Sequence, residues 1–179
     1  MSTGLTYREL KQNELVTIKK IDRSETIHEI YEYTNRELIL KTEYCVVTAF
    51  EPKELDYIIK SQNRIFEEGG KVIGAFDGDT IVGVASVGNK TRGSHSEYCK
   101  MDILYVSSNY RGKRIGHKLI EECKKIAMGF GAKKLYISAT PTKATVDFYL
   151  NEGAVIAKEI DSDLFRLEPL DIHLELDLT

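Results

Sequence analysis

The chain has 179 residues, of which 42% are hydrophobic and 30% are charged, and its formal net charge is −3. A chain of this length can bury a core without metal or disulfide support, which fits one domain over residues 1–179. A small negative net charge is not typical of nucleic-acid-binding proteins, which carry basic patches. No apolar run approaches the length of a membrane-spanning helix.

The three cysteines, Cys45, Cys99 and Cys123, are widely spaced and odd in number. They form neither a disulfide pattern nor a metal-ligand spacing, so we expect a reducing compartment and no bound metal. The segment from Met1 to Leu10 has no apolar signal-peptide core. These features predict a cytoplasmic protein that has neither a nucleic-acid nor a membrane partner.

The first part of the chain predicts a strand, a helix, a hairpin and a second helix. The hairpin rests on two runs rich in β-branched and aromatic residues, although the same tyrosine-rich segment is compatible with a helix. The second helix has proline in its first turn, and its apolar residues recur at helical spacing. The predicted elements are a strand at Tyr7–Leu10, a helix at Asn13–Lys20, hairpin strands at Ile27–Tyr33 and Glu37–Val47, and a helix from Pro52 to Gly69.

The centre of the chain predicts an antiparallel meander. The strands Val72–Phe76 and Ile81–Val87 are joined by Asp77-Gly78-Asp79, which is a strong hairpin turn signal. A second turn at Asn89–Gly93 leads into a third strand at Glu97–Val106.

Beyond this strand the apolar period changes to that of a helix. Ile115, Leu119, Cys123, Ile126 and Phe130 form one helical face. A strand–helix–strand order predicts that the strands on either side of this helix are parallel. The fold class is therefore α+β: a mixed, mostly antiparallel twisted sheet with one βαβ crossover and flanking helices. The later predicted elements are a strand at Lys134–Ala139, a helix at Thr142–Leu150, and closing strands at Val155–Lys158 and Leu164–Leu176.

The segment from Tyr110 to Gly116 reads Tyr-Arg-Gly-Lys-Arg-Ile-Gly and joins the third strand to the long helix. Its turn aims backbone N–H groups at one point, and the helix adds its unpaired first-turn donors and positive dipole end, which favours a phosphate. Taken alone, the segment also fits a loop in which Gly112 adopts positive φ and Gly116 permits close packing. The sequence contains no P-loop, and the late position of the turn disfavours a Rossmann site.

Three segments in this order resemble the GNAT superfamily of acetyl-CoA-dependent N-acetyltransferases. They are the strand Ile103–Val106, the turn Arg111–Gly116 and the helix end Asp147–Ala154. The resemblance is strong over about Val72 to Ala154.

This chain departs from the family pattern at three positions. Arg114 stands where the signature has Gly, Thr142 stands where many members have an Asn near the CoA, and Ala154 replaces the usual Phe.

The resemblance implies that acetyl-CoA is the acyl donor and that a primary amine is the acceptor. The turn would take the pyrophosphate, and the strand backbone would pair with the pantetheine arm where a neighbouring strand diverges. The implied cofactor-binding residues are Leu104, Tyr105, Val106, Arg111, Gly112, Lys113, Arg114, Ile115, Gly116, His117 and Thr142.

The resemblance also places Tyr149 at the family's proton-donor position. A thiol has a pKa of roughly 8.5 and a tyrosine roughly 10, so proton transfer to the leaving thiolate would be nearly balanced. The alternative is a core tyrosine beside Phe148. Asp102 is a candidate base because Asp is disfavoured in strands, but a solvent-facing position or a partner near Lys100 explains it equally well. Glu97 and an ordered water are further candidates.

Several points remain open at the level of sequence. The acceptor can be a small molecule or a protein amine, and the chain can be a monomer or a homodimer. A longer acyl-CoA, or a non-catalytic acyl-CoA-binding regulatory module, fits the same motifs. For the polar segment Ile21–Glu25, the sequence offers only two alternatives, a capping role or a place in the acceptor site.

Overall fold

The computed structural model describes residues 4–179, which form two β-sheets flanked by helices. The strands are β1 (Thr6–Glu9), β2 (Glu25–Thr34), β3 (Glu37–Val47), β4 (Lys71–Asp77), β5 (Thr80–Arg92), β6 (Tyr98–Val106), β7 (Lys134–Ala139), β8 (Val155–Ile156) and β9 (Ile172–Asp177). The α-helices are α1 (Pro52–Glu67), α2 (Ile115–Gly129), α3 (Lys143–Asn151) and α4 (Ser162–Leu167). Short 3-10 helices cover Gln12–Lys20 and Ser108–Tyr110.

The larger sheet has seven strands in the order β1-β4-β5-β6-β7-β9-β8, and β2 and β3 form a separate hairpin. Only β6 and β7 are parallel among the paired strands of the described chain, and α2 forms the crossover between them. The predicted mixed, mostly antiparallel sheet with one βαβ unit is therefore confirmed.

The pairing of β6 with β7 ends before β6 does. Tyr98–Met101 pairs with Lys134–Ile137, whereas the rest of β6 continues to Val106 and pairs only with β5. Within residues 4–179, the β7-facing edge of residues 102–106 thus has no strand partner. The two parallel strands separate here and open a cleft in the sheet.

A β-bulge in β6 lies at the same place. Between Met101 and Leu104, β6 has one residue more than the facing stretch of β5. Met101 and Leu104 contact the core on the α2 side, while Ile103 contacts the core on the other side. Asp102 turns the same way as Ile103 and accepts a hydrogen bond from Gln62 of α1. The bulge therefore places a carboxylate on the α1 side of the sheet at the mouth of the cleft.

Two predicted elements differ from the structure. The expected strand Leu164–Leu176 is wrong in its first half, because Asp161 caps a helix by accepting hydrogen bonds from the N–H groups of Asp163 and Leu164, both at 3.0 Å. Only Ile172–Asp177 is a strand. The expected helix at Asn13–Lys20 is a 3-10 helix.

No helix among the described residues is long and apolar enough to span a membrane.

Candidate active site

A cleft of about 970 Å³ occupies the gap where β6 and β7 separate. The walls come from the end of β6, the turn that begins α2, the end of β7, and α3. The sequence-predicted residues that line it are Asp102, Leu104, Tyr105, Val106, Arg111, Gly112, Arg114, Ile115, Gly116, His117 and Tyr149. The structure therefore brings most of the predicted site residues to one place.

The turn before α2 presents a row of free backbone donors. Gly112 and Arg114 both adopt positive φ, at 76° and 62°. The N–H groups of residues 112–117 have no acceptor within the described chain, whereas the N–H of Arg111 donates to Ser108 and that of Lys118 donates to Arg114. These donors and the helix dipole suit the oxygens of a pyrophosphate. The donor set therefore fits coenzyme A.

The Arg111 side chain fixes the position of this turn. Its Nε donates to the Val106 carbonyl oxygen at 3.1 Å, and its Nη1 donates to the Ser24 carbonyl oxygen at 2.8 Å. The guanidinium thus joins the turn to the end of β6 and to the segment before β2.

The segment Ile21–Glu25 holds the turn from outside. The Asp22 carboxylate accepts hydrogen bonds from the Ser108 hydroxyl and, at 2.9 Å, from the Ser24 N–H. These bonds, chiefly that from Ser108, lower the pKa of Asp22 to about 2. The Asp22 N–H in turn donates to the Ser107 hydroxyl oxygen at 3.0 Å. The contacts join parts of the chain more than eighty residues apart, so no local signal could have revealed them.

Gly116 allows α3 to approach α2. A Cβ at this position would lie 2.9 Å from Cζ of Phe148. Because Tyr149 follows Phe148 in α3, this close approach brings the Tyr149 side chain to the cleft.

Tyr149 lines the cleft and is only 5% exposed. Its hydroxyl makes no hydrogen bond with the described residues. Burial raises the pKa of Tyr149, with smaller contributions from Cys123, Tyr105 and Asp171. Burial also raises the pKa of the neighbouring Cys123 thiol to about 12. A thiolate leaving in the same buried surroundings would become similarly more basic, so the proton affinities of phenol and thiolate rise together.

Asp102 is a paired carboxylate. It accepts hydrogen bonds from Lys100 Nζ at 2.7 Å, Gln62 Nε2 at 2.8 Å and the Ser61 hydroxyl at 3.3 Å. Burial alone would raise the pKa of Asp102, but the charge of Lys100 and the three hydrogen bonds outweigh it and hold the pKa below its usual value. Asp102 is therefore an anion at neutral pH and a weak proton acceptor.

Two of the predicted cofactor-binding residues do not line the cleft. Thr142 is buried at the N-terminus of α3, where its hydroxyl oxygen accepts from the Thr145 N–H at 3.3 Å. The Lys113 ammonium lies 4.6 Å from the centroid of the Tyr110 ring. His117 does line the cleft, and its Nδ1 lies 2.8 Å from the Glu152 carboxylate. Their roles toward the cofactor stay predictions.

The end of the cleft near β2 and α1 is lined, besides Asp102, by charged residues of which only Glu54 lies outside the segment Ile21–Glu25 that the sequence offered as part of an acceptor site. Arg23, Glu25 and Glu54 lie here beside Tyr105. Arg23 forms an ion pair with Glu54, and its Cζ lies 5.4 Å from the centroid of the Phe50 ring. With Asp102, this end carries more acidic than basic side chains. In residues 4–179, no group of three His, Cys, Asp or Glu residues is arranged to hold a metal ion.

Comparison with known families agrees with this geometry. The sequence model of the acetyltransferase (GNAT) family matches residues 27–153, which is more than half of the chain. The chain therefore belongs to the GNAT family of acetyltransferases, and acetyl-CoA is its acyl donor. A search of curated protein sequences gives no match.

Solved structures show the same fold. Nourseothricin acetyltransferase superposes with a TM-score of 0.73 and 16% identity, over 99% of this chain and 100% of that one. A protein described as a streptothricin acetyltransferase from Bacillus anthracis str. Ames, in complex with acetyl coenzyme A, gives 0.73 and 20% over 97% and 98%. The PaiA N-acetyltransferase from Thermoplasma acidophilum, in complex with coenzyme A, gives 0.61 and 17% over 97% and 99%.

Proposed function

We propose that this acetyltransferase transfers the acetyl group to a primary amine by direct attack of the amine on the thioester. The observation that carries the proposal is the convergence of three features in one cleft. They are the unpaired strand edge at residues 102–106, the free N–H groups of residues 112–117, and the Tyr149 hydroxyl.

Each feature has a separate task. Acetyl-CoA supplies an acyl group activated as a thioester. The N–H groups of residues 112–117 bind its pyrophosphate, and Arg114 adds positive charge at the rim. The backbone groups of Leu104 and Val106 face the open edge and pair with the amide groups of the pantetheine arm, as a further strand would, while Tyr105 between them is paired with Val84 of β5. Tyr149 donates the proton that the departing thiolate needs.

The cysteines support direct transfer over a covalent acetyl-enzyme. Burial raises the pKa of Cys99 and Cys123, which keeps both thiols protonated and unreactive. Neither these two cysteines nor the exposed Cys45 lines the cleft. The amine is therefore the nucleophile.

The proton of the attacking amine has two candidate acceptors. Asp102 lies at the cleft, but its low pKa makes it a weak base. Water entering from the acidic end of the cleft is the better acceptor, and Asp102 then attracts and orients the cationic acceptor through its charge. Two structural neighbours with TM-scores of 0.73 are named for nourseothricin and streptothricin, whereas one with a TM-score of 0.62 is the ribosomal-protein-S18-alanine N-acetyltransferase from Escherichia coli. We propose a small-molecule acceptor because the first two superpose with the higher scores.

The test of the proposal is Tyr149→Phe, measured by steady-state kinetics and acetyl-CoA titration. Removing the hydroxyl should lower kcat by about a hundredfold, the lower end of what a positioned acid contributes. The Kd for acetyl-CoA should stay unchanged, because the donors for its phosphates lie in the turn before α2. Tyr57→Phe, at an exposed tyrosine of α1 outside the cleft, is the control.

The pH profile gives a second readout of the same proposal. Since burial raises the pKa of Tyr149 above its usual value of about 10, the acid stays protonated across neutral and mildly alkaline pH. Wild-type kcat/KM should rise with pH as the acceptor amine loses its proton, with no downturn below about pH 10. Unchanged turnover in Tyr149→Phe, or a wild-type downturn near pH 8 in folded protein, would remove Tyr149 from this role.

A further inference from the structure

A second cavity, of about 290 Å³, lies beside the active cleft. It is bounded by β2 on one side and by the segment from α4 to the start of β9 on the other. Residues 137–140 line the active cleft and Pro141 lines the second cavity. The Tyr31 N–H of β2 donates to the Pro141 carbonyl oxygen at 2.7 Å. A single stretch of chain between β7 and α3 therefore contributes to both cavities.

The walls of this second cavity are aromatic and its charges are negative. Its aromatic lining residues are Tyr31, Tyr33, Phe165 and His173, its acidic ones are Glu32 and Asp171, and none of those in the described chain is Lys or Arg. Successive side chains of β2 point to opposite faces, so the Glu32 carboxylate lies on the other face of the strand from the two tyrosine rings. Burial lowers the pKa of His173, which keeps that ring neutral at pH 7. Aromatic faces and carboxylates both attract cations.

Asp171 has no partner for its charge. Glu32 forms an ion pair with Lys41, whereas the half-buried Asp171 side chain makes neither a hydrogen bond nor an ion pair with the described residues. The nearby cation Lys100 is bonded to Asp102 at 2.7 Å. Burial, helped by the charge of Glu168, raises the pKa of Asp171 to about 6. A half-buried carboxylate in apolar surroundings is unfavourable without a compensating cation.

We propose that the second cavity binds an ammonium group of the acceptor, so that the acceptor carries at least two amino groups. This inference rests on the proposed acetylation of an amine. One amino group enters the cleft beside Tyr149, and the other forms a charge-assisted hydrogen bond with Asp171 between the aromatic rings. The segment of residues 137–141 borders both cavities, and we infer that a linear diamine reaches past it from one cavity to the other.

The direct test is calorimetric titration of the protein with linear diamines, from putrescine to longer homologues and spermidine, and with the monoamine of each length. At least one diamine should bind about tenfold more tightly than its monoamine, and Asp171→Asn should abolish that difference. Asp163→Asn, at an exposed carboxylate of α4 outside both cavities, should leave it intact. Equal binding of each diamine and its monoamine, or full retention of the difference in Asp171→Asn, overturns the proposal.

Kinetics separate this proposal from the function on which it rests. Asp171→Asn should raise KM about tenfold for an acetylated diamine but not for its monoamine, since only the second ammonium group loses its partner. Any change in kcat through the altered charge near Tyr149 should be the same for the diamine and the monoamine. If a diamine binds in a way that depends on Asp171 but no amine is acetylated, the proposed ammonium site stands and the proposed function is overturned. If the protein acetylates diamines and Asp171→Asn does not change their kinetics, the proposed function stands and the proposed ammonium site is overturned.

Thermal unfolding at pH 7.5 excludes a merely structural explanation. Asp171→Asn removes an unpaired half-buried charge, so its unfolding temperature should equal or exceed that of the wild type. A lower unfolding temperature would show that Asp171 stabilises the fold and would overturn the proposal.

Discussion

Arg114 shows how one residue combines an unfavourable backbone with a useful charge. It adopts left-handed φ of 62° immediately before α2, at the position where the family signature has Gly. A side chain in this conformation costs roughly 1 kcal/mol, because Cβ crowds the following carbonyl oxygen. The guanidinium lines the cleft beside the free N–H groups of the turn. We infer that attraction between this side chain and the phosphates of acetyl-CoA offsets the strain.

This inference makes a prediction for Arg114→Gly. The substitution should leave the free energy of unfolding equal or raise it by up to about 1 kcal/mol, because the left-handed strain is released. It should weaken acetyl-CoA binding by about fivefold, because one positive charge leaves the phosphate site. Chemical denaturation and fluorescence titration measure the two effects.

Arg36→Gly is the matched control. Arg36 also has positive φ, 65°, but lies in the turn between β2 and β3 and does not line the cleft. Its substitution should affect stability in the same direction and leave acetyl-CoA binding unchanged. If Arg114→Gly binds acetyl-CoA as tightly as the wild type does, the guanidinium has no part in cofactor binding.

At the scale of elements, the contact between α2 and α3 positions Tyr149, the proposed proton donor. We predict that Gly116→Ala destabilises the protein by about 1–3 kcal/mol, because its Cβ would meet the Phe148 ring at 2.9 Å in a packed core. Displacement of α3 should also lower kcat, since Tyr149 is the next residue. Denaturant titration and steady-state kinetics check both effects.

Gly129→Ala provides the comparison within the same helix. A Cβ at Gly129, the last residue of α2, would meet no atom within 4 Å. Alanine should therefore stabilise the protein slightly, by up to about 1 kcal/mol, through its higher helix propensity. Equal stability of the two variants would show that the close approach at Gly116 does not constrain α3.

Elements whose signals are local could be predicted from the sequence. Examples are the meander from β4 to β6, the turn before α2, and α2 itself. In each, a clear apolar period lies next to turn residues in the chain. The six-residue α4 is too short to show a period, and its local signal, the capping residue Asp161, competes with the apolar spacing of a strand. The bulge that turns Asp102 toward α1 depends on pairing with β5, which local pattern does not determine.

The candidate site also contains parts that the sequence predicted and parts that it did not. The residues of the turn and Tyr149 lie within the predicted motif. The bonds of Asp102 to Gln62, of Arg23 to Glu54 and of Asp22 to Ser108 join residues 31 to 86 positions apart. Such pairs follow from how the elements pack, so sequence could not indicate that Asp102 bonds to Gln62 or that Arg23 pairs with Glu54. The ion pair of Asp102 with Lys100 is local, and it agrees with the partner near Lys100 that the sequence allowed.

The whole molecule places the proposed acetyl-CoA site and the proposed amine site around the gap where β6 and β7 separate. We propose that the donors of the turn and the unpaired edge of β6 hold acetyl-CoA in the cleft. Acidic residues border the end of the cleft near α1, and the aromatic cavity with Asp171 lies beyond the connection from β7 to α3. No cysteine lines the cleft, so this arrangement predicts that the acetyl group passes from the thioester to the amine without first bonding to the protein.

The most direct test of this claim is rapid-quench mass spectrometry of protein, coenzyme A and amine during a single turnover. The account predicts that the acetylated amine and free CoA appear together, in equal amounts, while the protein mass stays unchanged throughout. Tyr149→Phe should slow both products equally. A protein species heavier by one acetyl group, forming and decaying at the rate of turnover, would contradict direct transfer.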